Sequence, residues 1–293
     1  MKLGTTYPQI ELGGDPQSLR RFAEATEQLG YDHILIYDHV VGAVHEGRDP
    51  PLWGPYTEKD PFHDIFTAFA YLAALTERIE LISGILILPQ RQTVLVAKQA
   101  TDVALMSNGR LRLGVGSGWN YVEYDALGED WAKRGAKMSE QIPYLRRLWS
   151  EEAIDWRGQF DQIDRGNIVP RPKHQIPIYC GGFTEPAFRR AAKLADGFIF
   201  ASALTAGALD NIGRVNQLLG EQGRSPADFY KLSVLHPDEL NTPVGDIIEA
   251  LLRLRDAGAD DASIVTMRRG LTTIDQHIDF IADMKARADA ALR

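Results

Sequence analysis

Four short stretches of this chain put chemically useful groups where the backbone turns. Ile36-Tyr37-Asp38-His39 ends an apolar run with an acid and an imidazole. A histidine titrates near neutral pH, so at a strand end it suits proton transfer or polarisation of a substrate carbonyl. Neighbours along a strand point to opposite faces, so one of Asp38 and His39 faces a site and the other a loop or adjacent element. Leu111-Arg112-Leu113-Gly114-Val115-Gly116-Ser117-Gly118-Trp119-Asn120 runs an apolar strand into alternating glycines and an indole. Such glycines remove side chains where backbone passes close to another group. Gly84 interrupts the apolar run Ser83-Gly84-Ile85-Leu86-Ile87-Leu88-Pro89 and permits a bulge beside a ligand. In Cys180-Gly181-Gly182-Phe183-Thr184-Glu185-Pro186, bare amides and a hydroxyl precede a helix with proline in its first turn. That combination suits a phosphate and equally makes an ordinary capped turn.

Other chemistries lack their residues. The single cysteine, Cys180, excludes an intrachain disulfide and a multi-cysteine zinc site; with no base beside it, it reads as a buried inert thiol. His33 reads as structural, and His63, His174, His236 and His277 show no HxH or HExxH spacing, so no metal site is expected. No Gly-x-Ser-x-Gly elbow or Walker A sequence is present.

The elements that must position these groups alternate. Apolar, strand-like runs fall near 2–7, 33–37, 79–87, 111–115, 176–180, 197–201, 231–235 and 261–266. Helical periodicity falls between and after them, near 15–29, 62–76, 91–107, 137–149, 184–195, 205–222, 243–257 and 273–291. Asp15-Pro16 marks one helix start; Gly30, Asn108-Gly109 and Gly258 mark helix ends. Eight strand–helix pairs predict an α/β fold, a (β/α)8 TIM barrel forming a single domain over 1–293. A doubly wound sheet would want its glycine loop after the first strand, where this chain has Tyr7-Pro8-Gln9-Ile10. Two insertions interrupt the pattern. That at 40–61, after the second strand, carries Trp53 and Tyr56 and lies where a substrate pocket forms. That at 151–176, after the fourth, reads as a hairpin around Arg157-Gly158. A net charge of −8 disfavours nucleic acid and anionic membranes as partners. With no long apolar run or signal-like start, a cytoplasmic protein is expected.

In order and spacing the chain resembles the luciferase-like monooxygenase superfamily, and within it the coenzyme F420-dependent branch. The resemblance rests on Tyr37-Asp38-His39, Gly84 to Pro89, Ala97 through Arg110, Gly114 to Trp119, Tyr124 to Gly128, Arg134-Gly135, Gly181-Gly182 and Ala195 to Phe198. It implies a flavin or deazaflavin ring in the barrel mouth. Asp38 would contact that ring, and His39 would transfer a proton or position the substrate. Gly84-Ile85 matches the family's non-proline cis peptide. Gly116, Ser117, Gly118 and Trp119 would line the ring; Gly181, Gly182 and Thr184 would bind the phosphate, with Phe183 beside them. FMN enzymes of the superfamily carry a cysteine and an arginine where Gly116 and Ser117 stand, which favours F420 over FMN. Trp119 stands where some deazaflavin dehydrogenases have a catalytic glutamate, which argues against sugar-phosphate dehydrogenation. The expected activity is hydride transfer between the deazaflavin C5 and a small organic substrate, apolar or aromatic given Trp53, Tyr56 and Trp119. An FMN-dependent monooxygenase and a catalytically silent flavin-binding protein are the alternatives. Relatives imply a homodimer, with the helix bearing Phe66, Phe69, Tyr71 and Leu72 apolar enough to take part.

Overall fold

The computed structural model describes residues 1–201, 206–236 and 242–292. The chain runs β1 (Lys2–Thr6), α1 (Pro16–Gln28), β2 (His33–Ile36), α2 (Ile65–Leu75), β3 (Glu80–Ser83), β4 (Leu86–Ile87), α3 (Thr93–Met106), β5 (Leu111–Gly116), α4 (Tyr121–Ala126) and α5 (Arg134–Ser150). It continues through β6 (Ile154–Arg157), β7 (Gln162–Gly166), β8 (Ile178–Gly181), α6 (Glu185–Leu194), β9 (Gly197–Phe200), α7 (Ala206–Glu221), β10 (Tyr230–Leu235), α8 (Val244–Asp256), β11 (Asp261–Val265) and α9 (Ile274–Leu292). Among the described residues eight parallel strands close a barrel in the order β1-β2-β3-β5-β8-β9-β10-β11, with β11 pairing back to β1. The short β4 continues past β3 and pairs with β5. This is the TIM barrel that the alternating pattern predicts.

Local chemistry accounts for the helix boundaries. Asp15 accepts the Gln17 and Ser18 amides, with Pro16 supplying the first helical residue of α1. Gly30, at φ +79°, reverses the chain after α1. Arg110 locks three elements from one side chain. Its guanidinium donates to the Ala73, Thr76 and Ile79 carbonyls, the Thr76 hydroxyl and, through Nε, the Ser107 carbonyl.

The larger apolar cluster lies between strands and helices, with Phe22, Phe69, Tyr144, Trp149 and Phe198 buried in it. Phe66, Phe69 and Leu72 of α2 belong to this core, while Tyr71 is partly exposed. Inside the barrel a smaller cluster joins Leu35, Ile82, Tyr179, Ile199, Leu232 and Val265. Below it the floor is polar. His33 lies 3.1 Å from Asp261, which accepts from Tyr230 at 2.9 Å. The His33 ring occupies the space a side chain at Gly4 would need. His33 is therefore a floor residue remote from the strand ends that carry Asp38 and His39.

The expected hairpin is present as β6 and β7. Glu140 of α5 accepts the Gln159, Phe160 and Asp161 amides at its tip, and Trp156 stacks on Tyr144. The hairpin leaves the chain after α5, so it packs on the barrel's flank instead of at the mouth.

Candidate active site

The second strand delivers two side chains to opposite sides, as its alternation requires. Gln9 clamps the strand end: its amide donates to the Tyr37 carbonyl and accepts the Tyr37 amide. Beyond the clamp Asp38 is buried, and both its oxygens are used. One accepts the Ile87 amide at 3.0 Å and the other accepts Arg91 at 2.7 Å. Burial pushes the Asp38 carboxyl above its ordinary value, an effect that Arg91, the Ile87 amide and His39 only partly offset. Asp38 thus ties β2 to the segment that follows the Gly84-Ile85 peptide.

His39 turns the other way, into a chamber of rings. Tyr56, Phe62 and Trp119 meet its imidazole edge-on, with centroids 5.4, 4.8 and 5.4 Å away. Its Nδ1 lies 3.2 Å from both carboxylate oxygens of Glu123. Glu123 is itself almost wholly buried and accepts three more hydrogen bonds, from the Val40 and Val41 amides and the Gln90 side chain. Burial raises the Glu123 carboxyl, but His39 and these donors outweigh it and leave the group below the ordinary glutamate value. Glu123 is the functional residue that sequence reasoning missed. A local signal existed: Asn120 caps α4 with glutamate three residues on, a capping-box spacing. The carboxylate instead reaches across to the β2 strand end.

The glycines of the fourth barrel strand have a specific neighbour. The Gly84-Ile85 peptide is cis, as the resemblance implies. A Cβ at Gly114 would stand 1.9 Å from the Ser83 carbonyl oxygen. One at Gly116 would stand 2.3 Å from Ile85 Cδ1, and one at Gly181 2.8 Å from Ile85 Cγ2. Gly116 and Gly181 therefore admit the Ile85 side chain, and the cis-linked Gly84 and Ile85 are both partly exposed between buried Ser83 and Leu86. Gly118, at φ +65°, packs against Ile87. Ser117 gives its carbonyl to the Tyr124 hydroxyl at 2.8 Å. The remaining expected group follows β8. Gly182 has φ +143°, Phe183 is exposed, and Thr184 stands at the helix N-cap with its hydroxyl making no capping bond. Glu185 in the same turn is compensated by Arg214 and Arg189. Partly exposed Ile85, the Thr184 hydroxyl and the amides just ahead of Pro186 together offer a surface for a flat ring carrying a phosphate-bearing tail.

The 40–61 insertion closes the other side of the chamber. Asn120 donates to the Val41 carbonyl, Tyr121 to that of Pro50, His45 Nε2 lies 2.9 Å from the Tyr56 carbonyl, and Arg268 bonds the Pro55 carbonyl. Trp119 lies directly under Gly54, with Trp53 tilted against it. At the inner edge the Tyr37 hydroxyl meets His236 Nε2 at 3.0 Å. Cys180 is buried and its thiol is pushed up to about 12, chiefly by burial, consistent with an inert side chain. Among the described residues no group of three His, Cys, Asp or Glu is arranged to hold a metal, and no helix is long and apolar enough to cross a membrane.

A parallel barrel that gathers a histidine–carboxylate pair, a cis bulge and a helix start at its strand ends has the layout of a barrel enzyme's active face. The sequence profile of luciferase-like monooxygenases matches residues 3–237, and the chain belongs to that family of oxidoreductases. An uncharacterized protein of Mycobacterium tuberculosis is 31% identical over 248 residues, 83% of this chain and 82% of the relative. An F420-dependent glucose-6-phosphate dehydrogenase of Amycolatopsis mediterranei is 29% identical over 209 residues, 69% of this chain and 58% of the relative. A pyrimidine monooxygenase of Acinetobacter baylyi is 32% identical over 226 residues, 74% and 58% respectively. The solved structure of an F420-dependent secondary alcohol dehydrogenase shares the fold at TM-score 0.79, with 15% identity and 98% coverage of both chains.

Proposed function

We propose that this protein is a deazaflavin-dependent oxidoreductase that exchanges a hydride with a small apolar or aromatic substrate. The observation that carries the choice of cofactor is at Gly116. Ile85 fills the space that a side chain there would need, so the strand holds the end of Ile85 where the FMN branch carries its cysteine. Ser117, with its carbonyl engaged by Tyr124, likewise stands in place of that branch's arginine. The F420-dependent relatives support the same reading.

A deazaflavin bound against Ile85, its phosphate at Gly181, Gly182 and Thr184, would supply a hydride donor or acceptor at C5 of its ring. The chain's own residues supply the rest. His39 exchanges a proton with the substrate oxygen at Nε2. Tyr56, Phe62 and Trp119 exclude water from that nitrogen and select apolar substrates. Asp38 and Arg91 hold the segment after the cis peptide in place. The family's monooxygenases favour a second reading, in which reduced FMN reacts with oxygen at the same site.

Titrating the purified protein with coenzyme F420 and with FMN, followed by fluorescence quenching, separates the two. Micromolar binding of F420 is expected. Micromolar binding of FMN with none of F420 overturns the reading.

A further inference from the structure

We propose that Glu123 is the positioning residue of this site, fixing which nitrogen of His39 exchanges the proton. The proposal rests on the function proposed above for His39, but its geometry does not depend on the cofactor.

An ionised carboxylate only accepts hydrogen bonds, and Glu123 has both oxygens 3.2 Å from His39 Nδ1. Nδ1 must therefore carry the hydrogen, which leaves Nε2 as the free lone pair of the neutral ring. The carboxylate cannot turn away. The Val40 amide at 2.8 Å and the Val41 amide at 3.1 Å hold Oε1, and the Gln90 amide at 3.2 Å holds Oε2. These donors also keep the charge on Glu123 inside a buried setting, as the lowered carboxyl requires. Among the described residues no other charged group is bonded to the imidazole. Asp38, next in sequence, is bonded to Arg91 and Ile87, and burial keeps the Tyr56 phenol protonated. His45 meets the Trp119 ring at 5.9 Å and uses its Nε2 on the Tyr56 carbonyl. The same carboxylate also sets the first two residues of the 40–61 insertion. The proton-exchanging atom and the root of the substrate loop are thus placed by one group.

The test uses protein free of cofactor, labelled with nitrogen-15 at histidine, with the His39 signals identified by their loss in His39→Gln. Above neutral pH the wild-type ring is expected as the Nδ1–H tautomer. In Glu123→Gln, the amide carbonyl can keep the Val40 and Val41 amides and still accept from Nδ1, but the charge is lost and the NH2 now faces Nδ1 as a donor, so the ring population moves from Nδ1–H toward Nε2–H. Glu123→Asp, which keeps the charge, restores the wild-type tautomer at least in part. A merely structural glutamate would loosen the loop in Glu123→Gln without moving the tautomer population, and that result overturns the proposal. So does a wild-type ring found as Nε2–H, an outcome readable even where the variant does not fold. Because no turnover is measured, failure to bind F420 would count against the proposed function and leave this result standing.

Discussion

Gly116 and Ile85 form a pair whose energetics can be worked from one distance. Replacing Gly116 by alanine puts a methyl 2.3 Å from Ile85 Cδ1 and 3.0 Å from Cγ1, whereas ordinary contacts begin near 3.4 Å. Ile85 must withdraw by about 1 Å or change rotamer, and overpacking of this kind costs roughly 1–3 kcal/mol. The obstacle is the end of a flexible side chain, so the lower figure applies: about 1 kcal/mol, or about 2–4 °C in Tm. Ile85→Val removes Cδ1 and by itself costs about 0.5–1.5 kcal/mol. It also removes the closest clash with Ala at 116, so the double variant should be more stable than the sum of the singles predicts, by at least about 0.5 kcal/mol. Urea denaturation of the four proteins measures this coupling. F420 titration adds a second reading: Gly116→Ala shifts the side chain proposed to lie against the ring and is expected to weaken binding about tenfold, ~1.4 kcal/mol. Strict additivity, or a Gly116→Ala protein as stable as wild type, would refute the assignment of Gly116 to making room for Ile85.

Three further outcomes are expected. Asp38→Asn should lose roughly 2 kcal/mol of stability in urea unfolding, because it takes the nearer and more buried of two carboxylates from the mostly buried Arg91, leaving only Asp64 at 3.6 Å. The fully buried His277, held by Thr266 at 2.8 Å, is lowered to about 4, chiefly by burial. Because the folded state resists a proton that the unfolded chain takes up below about pH 6.5, this residue should remove stability progressively from there to about pH 4. Urea midpoints at pH 7 and 5 should show wild type losing roughly 2 kcal/mol more than His277→Gln. The Cys180 thiol should be inert to a disulfide reagent in the native protein and react in urea; rapid native modification would contradict its burial.

The barrel was legible in the sequence because its signals are local. Asp15-Pro16 and Gly30 bracket α1 within one segment, and runs such as His33–Ile36 and Gly197–Phe200 are nearly continuous in apolar residues, as burial on both faces demands. The strand-end residues were legible for the same reason. Their partners were not. Glu123 meets His39 from 84 positions away, and Arg91 meets Asp38 from 53, so only closure of the barrel brings them together. Gly116 marks the middle ground. Its type announced a close approach, but the approaching group, Ile85, became visible only once β4 and β5 were paired.

The two sides of the chamber are built from different materials, and this bears on how such a protein diverges. The side proposed for the cofactor is backbone: a cis bulge, glycines that admit it and the start of a helix. Few substitutions there leave the surface intact. The side proposed for the substrate is made largely of side chains, several on one insertion pinned at its ends and middle by Glu123, Asn120, Tyr121 and Arg268. Exchanging Trp53 or Tyr56 would redraw that wall without disturbing a strand. A lineage built this way can acquire new substrates by drift within some twenty loop positions while its redox apparatus is inherited unchanged.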